Sequence, residues 1–463
     1  MRFNISKIGK VISTEIELND LTIICGKNNT AKTYITYTLY GFMDFIENLR
    51  FETSDFFKKD LTVFDNDEEV ETIISISRLK DFVKNDLVQQ FSRTIPSLFS
   101  SKNKSFNSSS LSLLDDFDIK NIDFSRLALL GDFAIEIKKR KEDEYFSISK
   151  TSLQNESLKN KDELNSDLLY FAINNEIKII IREVILDKIP SAFISSVERS
   201  GISLFQKEIT LSRSRVYDEL FYRNNNTRSL FNRMNRNKFN SYPLPIRDNL
   251  KFVQSLFFID RELSSFIQEN NYILDEFSDL IGGEYLIDNE NEEIKFIPRD
   301  GNLELSMMES SSSIRSLCDL GIYLKFFAEE GDLIIIDEPE LNLHPENQRK
   351  LARLFARLIN SGLKILITTH SDYIIKELSI LCILNSRKNI LPNINKISNV
   401  KYELNSLLDL TRINVFLSKS QDNYVNLYAC EINDIDGIKL PTFDDTIQDM
   451  NNIMDEIAFS SEI

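Results

Sequence analysis

Gly26-Lys27-Asn28-Asn29-Thr30-Ala31-Lys32-Thr33 constrains this chain more than any other stretch. It follows Leu21-Thr22-Ile23-Ile24-Cys25, a continuous apolar run of the kind that forms a buried strand, and precedes a helical pattern from Lys32 to about Leu49. A glycine-led turn between a buried strand and a helix offers backbone amides and a helix N-terminus to anions, which makes it a phosphate cradle. Lys32 is then placed to neutralise β- and γ-phosphates, and Thr33 to ligate Mg²⁺. Ala31 stands where a second glycine is usual. If that position is left-handed, alanine costs on the order of 1 kcal/mol, and weaker phosphate binding is expected. Taken alone, the octet also fits a plain polar strand–helix turn.

The other end of the chain supplies what such a turn needs. Leu333-Ile334-Ile335-Ile336 is a buried strand ending in Asp337-Glu338. Adjacent acids there suit metal-dependent phosphoryl chemistry, with Asp337 on the metal side and Glu338 orienting or deprotonating a water; a solvated strand end is the bland alternative. Pro345 opens a helix that buries Leu351, Leu354, Phe355 and Leu358 and exposes Arg349, Lys350, Arg353 and Arg357. Leu363 to Ile367 is the next buried strand, and strand–helix–strand at this spacing predicts a parallel α/β sheet. The chain has two histidines, His344 six residues after Glu338 and His370 at the end of that last strand.

Between these ends the pattern is mixed. Ser100 to Ser112 reads as a loop, Phe133–Ile137 and Tyr145–Ile148 as a hairpin, Ser166–Leu186 as a helix and Ser191–Val197 as a short strand ending at Glu198-Arg199. Ile202–Asn240 and Leu250–Leu280 read as the two arms of a helical hairpin. Ser310-Ser311-Ser312-Ser313 precedes a helix running to Glu329. Four units result: 1–200, the N-terminal part of a core with a mixed α/β insertion; 201–280, the helical hairpin; 281–400, the C-terminal part of the core; and 401–463, an acidic segment.

Charge separates two of these units. The whole chain carries 55 Lys and Arg against 72 Asp and Glu, a net −17, so it does not coat nucleic acid over its surface. Glu431–Ile463 holds nine acids and one base, whereas Glu198–Lys251 holds eleven bases and five acids. Arg213, Arg215, Arg223, Arg228, Arg233, Arg236 and Lys238 alternate there with Tyr217, Phe221, Tyr222 and Phe231. That composition over 207–251 suits DNA, although a solvated face or a partner-docking surface is the expected reading. No stretch reaches the roughly 20 apolar residues of a membrane span, and the N-terminus lacks a signal-peptide core. The four scattered cysteines read as buried thiols of a reducing, cytoplasmic setting.

Asp337-Glu338-Pro339-Glu340-Leu341-Asn342-Leu343-His344-Pro345 followed by Thr368-Thr369-His370-Ser371 resembles the C-terminal half of an ABC-type ATPase head. The group is similar to the AAA-type ATPases of the overcoming-lysogenization-defect and RecF/SMC kind, over roughly 1–45 and 270–400. The resemblance implies an α/β, ABC-type P-loop head with a mixed sheet and a helical-hairpin insertion, using ATP and Mg²⁺. It implies Gly26, Lys27, Asn28, Asn29, Thr30, Ala31, Lys32 and Thr33 as the nucleotide loop, Thr33 and Asp337 at the metal, Glu338 and His370 as catalytic groups, and Asn342 to His344 as a D-loop. Ser311, Ser312 and Ser313 occupy the place of the signature motif, without its Leu-Ser-Gly-Gly pattern, and would meet nucleotide on the opposite subunit of a homodimer; a plain helix cap is the competing reading. Glu198-Arg199-Ser200-Gly201 also resembles a post-strand element of these ATPases, from which Arg199 could reach nucleotide or the dimer interface, with a structural ion pair the expected role. Both histidines belong to this core, so an HNH nuclease inside the chain is not expected. The chain is similar to the ATPase subunits of anti-phage modules such as Septu and PARIS, where a separate nuclease or toxin is the effector. A RecF-like repair clamp and a nucleotide-sensing scaffold with little turnover are the rivals.

Overall fold

The computed structural model describes residues 1–61, 70–101, 106–115, 122–130, 133–152, 166–187, 189–205, 242–258, 262–301, 303–421, 424–440 and 449–457. In chain order its strands are β1 (Arg2–Ile8), β2 (Val11–Glu17), β3 (Leu21–Gly26), β4 (Val70–Ser75), β5 (Ser110–Leu113), β6 (Phe124–Leu130), β7 (Phe133–Lys139) and β8 (Tyr145–Ser152). These are followed by β9 (Ala192–Ser195), β10 (Gly283–Asp288), β11 (Glu293–Pro298), β12 (Leu305–Ser306), β13 (Leu333–Asp337), β14 (Lys364–Thr369), β15 (Ile413–Gln421), β16 (Tyr424–Ala429) and the short antiparallel pair β17 (Ile432–Asn433) and β18 (Gly437–Ile438).

Nine of them form one mixed sheet in the order β5-β1-β2-β16-β15-β3-β14-β13-β9. The stretch from β15 to β9 is parallel throughout, and the wing beyond it is joined by antiparallel pairs except for one parallel bridge from β16 to β2. Successive side chains of a strand point to opposite faces, and both faces of the parallel strands are apolar. Ile24, Ile335 and Leu366 enter one core cluster, while Ile23, Cys25, Ile334, Ile336, Ile365 and Ile367 enter the other. Helix α1 (Lys32–Glu47) covers the first face through Ile35, Leu39, Phe42 and Ile46. The second face is covered by two helices that follow β13 and β14, spanning Pro345–Asn360 and Asp372–Ser386, through Leu351, Phe355, Leu358, Ile374, Leu378 and Leu381. The expected mixed α/β sheet is therefore present, and it brings the C-terminal ends of β3, β13, β14 and β9 to one edge, where such sheets bind ligands.

The remaining sheets are peripheral. β4, β8, β7 and β6 form an antiparallel sheet, with the expected hairpin in β7 and β8. β10 to β12 form a small antiparallel sheet. Among the described residues no helix is long and apolar enough to cross a membrane.

Several local expectations differ from the structure. Ser110–Leu113, read as loop, pairs with β1 as β5. The arm expected over Leu250–Leu280 is three helices, Leu244–Ser255, Ser265–Glu269 and Tyr272–Ile281, and Ser264 caps the second by accepting from the Ile267 amide at 3.2 Å. The other arm lies outside the described residues after Phe205, as do Arg213 to Lys238 and the aromatics among them. The helix expected from Ser313 to Glu329 breaks at Leu317 into Ser312–Ser316 and Cys318–Phe326. Arg349 and Arg353, expected on an exposed face, clasp the buried Glu377 carboxylate at 2.6 and 2.5 Å. Cys430 is half-buried, whereas Cys25, Cys318 and Cys382 are buried. The segment after residue 400 contributes β15, which pairs in parallel with β3 from Ile413↔Leu21 to Ser418↔Gly26.

That pairing fixes the phosphate-loop backbone. Gly26 has φ 147° and lies so close to Ser418 that a Cβ would run into the Ser418 carbonyl. The Ser418 hydroxyl donates to the Thr30 carbonyl at 2.5 Å, and the Thr30 hydroxyl donates to the Lys27 carbonyl at 2.7 Å. Asn29 (φ 63°) and Ala31 (φ 61°) are left-handed. Ala31 is the N-cap of α1 and gives it no side-chain cap. The strain foreseen for Ala31 is therefore carried by the fold itself rather than imposed when phosphate binds. Gly26→Ala is expected to lower the unfolding free energy by about 2 kcal/mol through overpacking. Ala31→Gly is expected to raise it by about 1 kcal/mol without changing affinity for ATP. Denaturant unfolding of both variants beside the wild type checks this, and equal midpoints would refute both.

Candidate active site

Lys32 projects from the first turn of α1 back beneath its own loop. Its Nζ donates to the carbonyls of Gly26 (3.2 Å) and Lys27 (3.1 Å) and lies 2.7 Å from His370 Nε2. Burial lowers its pKa, opposed by the carboxylates of Glu338, Asp337 and Glu340. Thr33, one residue on, donates through Oγ1 to Asp337 Oδ2 at 3.0 Å.

Asp337 ends β13 and is almost completely buried. The Thr368 hydroxyl, on neighbouring β14, donates to its other oxygen. Burial raises its pKa, while the bonds from Thr368 and Thr33 pull the other way. A hydroxyl and a carboxylate in contact form the oxygen-only donor pair that Mg²⁺ takes. Among the described residues no group of three or more His, Cys, Asp or Glu side chains is placed to hold a metal. Thr33 and Asp337 fit a Mg²⁺ that would draw its other ligands from water and phosphate oxygens, and the left-handed pair Asn29 and Ala31 fits an anion-binding loop.

Glu338 has φ 52°, a left-handed conformation rare outside glycine. Its amide is held by the Thr368 carbonyl and hydroxyl, both at 3.1 Å. That turn brings its Oε1 to 3.4 Å from His370 Nε2. The same nitrogen receives both Lys32 and Glu338, and it can accept from an ammonium or donate to a carboxylate, not both. The shorter Lys32 contact favours the acceptor form. The contact with His370 holds the Glu338 carboxyl below its ordinary pKa against a raising effect of burial; Lys32 and Arg199 act in the same direction as His370. A carboxyl held below its ordinary range is ionised at neutral pH.

Glu340, whose role the sequence left open, anchors His370. Its carboxylate accepts from the His370 amide at 2.5 Å and the Thr369 hydroxyl at 2.9 Å. Burial raises its pKa. Thr368 was likewise unassigned, although a polar residue closing a buried strand beside Thr369-His370 is a readable signal. His344 caps the helix over Pro345–Asn360, with Nδ1 accepting from the Glu346 amide at 3.4 Å, and Asn342 turns the preceding loop at φ 64°.

Among the described residues Arg199 makes no ion pair at hydrogen-bonding distance. It is buried, and its guanidinium donates to the carbonyls of Ser196 (3.0 Å), Ser316 (2.8 Å), Asp337 (2.6 Å) and Glu338 (2.6 Å). Ser311 to Ser313 are not brought to the phosphate loop of their own chain. Ser311 caps Ser312–Ser316 by accepting from the Ile314 amide, and its hydroxyl lies 2.7 Å from that of Ser313.

Solved structures with similarity across the chain include an SMC head bound to the C-winged helix domain of ScpA. It is 12% identical, with 93% of this chain and 97% of that chain covered and a TM-score of 0.36. The SMC head domain from Thermotoga maritima is 9% identical, covering 93% and 98%, with a TM-score of 0.31. The Smc head with an extended coiled coil bound to the C-terminal domain of ScpA, from Pyrococcus furiosus, is 10% identical, covering 99% and 98%, at 0.31. No curated protein matches. The sequence profile of the AAA ATPase domain matches residues 9–375, from before the phosphate loop to beyond His370. The chain therefore belongs to the AAA ATPase domain family.

Proposed function

We propose that this chain hydrolyses ATP with Mg²⁺ at the edge where β3, β13 and β14 end. The observation that carries this reading is the convergence of Lys32, Thr33, Asp337, Glu338 and His370, drawn from three distant segments into one hydrogen-bonded cluster. Gly26 to Thr33 hold the phosphates, and Lys32 compensates their charge. Thr33 and Asp337 hold Mg²⁺, which when bound neutralises and aligns phosphate oxygens. Glu338, ionised and half-exposed, orients the attacking water and takes its proton. His370 lies between Lys32 and Glu338, where it links the phosphate-neutralising cation to the base.

Ser311 to Ser313 act in trans on this reading. Their hydroxyl bonds stay within their own helix start, and Ser311 and Ser312 are exposed, which suits contact with nucleotide held by a second copy. ATP then joins two heads, and its hydrolysis separates them. The resemblance of the Asp337–His344 and Thr368–Ser371 motifs to anti-phage ATPase subunits adds a separate nuclease or toxin as the effector under control. Copurification with the product of a neighbouring nuclease gene would support that extension.

Turnover is expected to fall at least about 100-fold in Lys32→Ala and in Glu338→Gln. Light scattering with ATP should find Glu338→Gln trapped as a dimer and Lys32→Ala monomeric. His370→Ala is expected to slow turnover while leaving ATP binding intact, because it removes the group between cation and base. A wild type without turnover, or turnover that survives Glu338→Gln, would overturn the proposal.

A further inference from the structure

Arg199 is one of the most deeply buried charged groups in the molecule, and the chemistry assigned above gives it no part. Among the described residues all four of its bonds go to main-chain carbonyls of three separate segments. Ser196 follows β9, Ser316 closes the short helix that Ser311 caps, and Asp337 and Glu338 form the turn that carries metal ligand and base. The positive charge is compensated by Asp319 and Asp337 nearby.

The bonds to the last two residues have a specific effect. Glu338 is left-handed, a conformation that a non-glycine residue keeps only when its surroundings impose it. Thr368 holds its amide and Arg199 holds its carbonyl, so the peptide is clamped at both ends. The serine end reaches the same clamp through a short relay. Ser311 and Ser313 hydroxyls are in contact, the Ser316 hydroxyl donates to the Ser313 carbonyl at 2.9 Å, and Arg199 Nε takes the Ser316 carbonyl. A planar fork with several fixed donors can span these carbonyls, whereas the single nitrogen of a lysine cannot.

We propose that Arg199 is a positioning residue that ties the serine-capped helix to the Asp337–Glu338 turn, so that engagement of Ser311 to Ser313 sets the aim of the Glu338 carboxylate. The inference rests on the ATPase reading above and adds the path by which one head reports to the base of its own site.

Arg199→Lys and Arg199→Gln test it in the full chain. The measurements are single-turnover rate at saturating ATP, affinity for a non-hydrolysable ATP analogue, and the unfolding midpoint. The expected result is a rate about 100-fold lower with analogue affinity unchanged, the split that misplacement of a base produces. Ser311→Ala combined with Ser313→Ala should slow the wild type and add little in the Arg199→Lys background. If the glutamine variant fails to fold, the lysine variant carries the test. A wild-type rate in Arg199→Lys overturns the inference, as does a loss that follows affinity, or a serine effect that is absent or equal in both backgrounds. A wild type that does not hydrolyse ATP instead removes the ATPase reading, and this inference with it.

Discussion

The Asp337 carboxylate receives a hydroxyl on each oxygen, Thr33 from the first turn of α1 and Thr368 from β14. Those two bonds join the start of the chain to its last third at the point where the sheet delivers its acids. Everything else at the edge is registered against them. Lys32 precedes Thr33, Glu338 follows Asp337, and Thr369 and His370 follow Thr368, so fixing three side chains fixes the order of seven. Such a carboxylate is tolerable in a nearly water-free position only because its bonds are made and cations stand close by.

The cluster around it has a particular electrostatic balance. Lys32 and Arg199 are its buried cations, while the buried Asp337 and Asp319 and the half-buried Glu340 are acids whose pKa values desolvation raises. Glu338 stands apart as the acid held low. The difference comes from exposure and from contact with His370, so adjacent residues with the same functional group are driven in opposite directions.

Much of this was legible in the sequence because it is local. A continuous apolar strand, a glycine turn and a helix announce the phosphate loop, and Leu333 to Glu338 and Leu363 to His370 announce two neighbouring strand ends. The left-handed Ala31 was foreseen as a condition and found as a fact. What the sequence hid is what depends on distant partners. Nothing in Ile413–Gln421 says that it pairs with Leu21–Gly26, and nothing in Arg349 or Arg353 says that Glu377 waits beneath them. Arg199 was visible as an arginine after a short strand, but its carbonyl partners come from β13 and a serine-capped helix, and only packing reveals them. Short apolar stretches broken by serine and asparagine, as at Ser264 and Asn270, were merged into one helix because periodicity alone does not register a cap.

β15 lies between β3 and β16 in the sheet although it is made almost last. A ribosome therefore releases the phosphate loop long before the strand that braces it. Until residues 413–421 emerge, β3 has an open edge, and neither the Ser418 hydroxyl nor the close approach to Gly26 exists to hold the loop. Pairings of such sequence separation form slowly. The consequence is a head that matures its nucleotide site at the end of synthesis, so a chain cut short before β15 holds most of the site's residues without the backbone that gives them their shape.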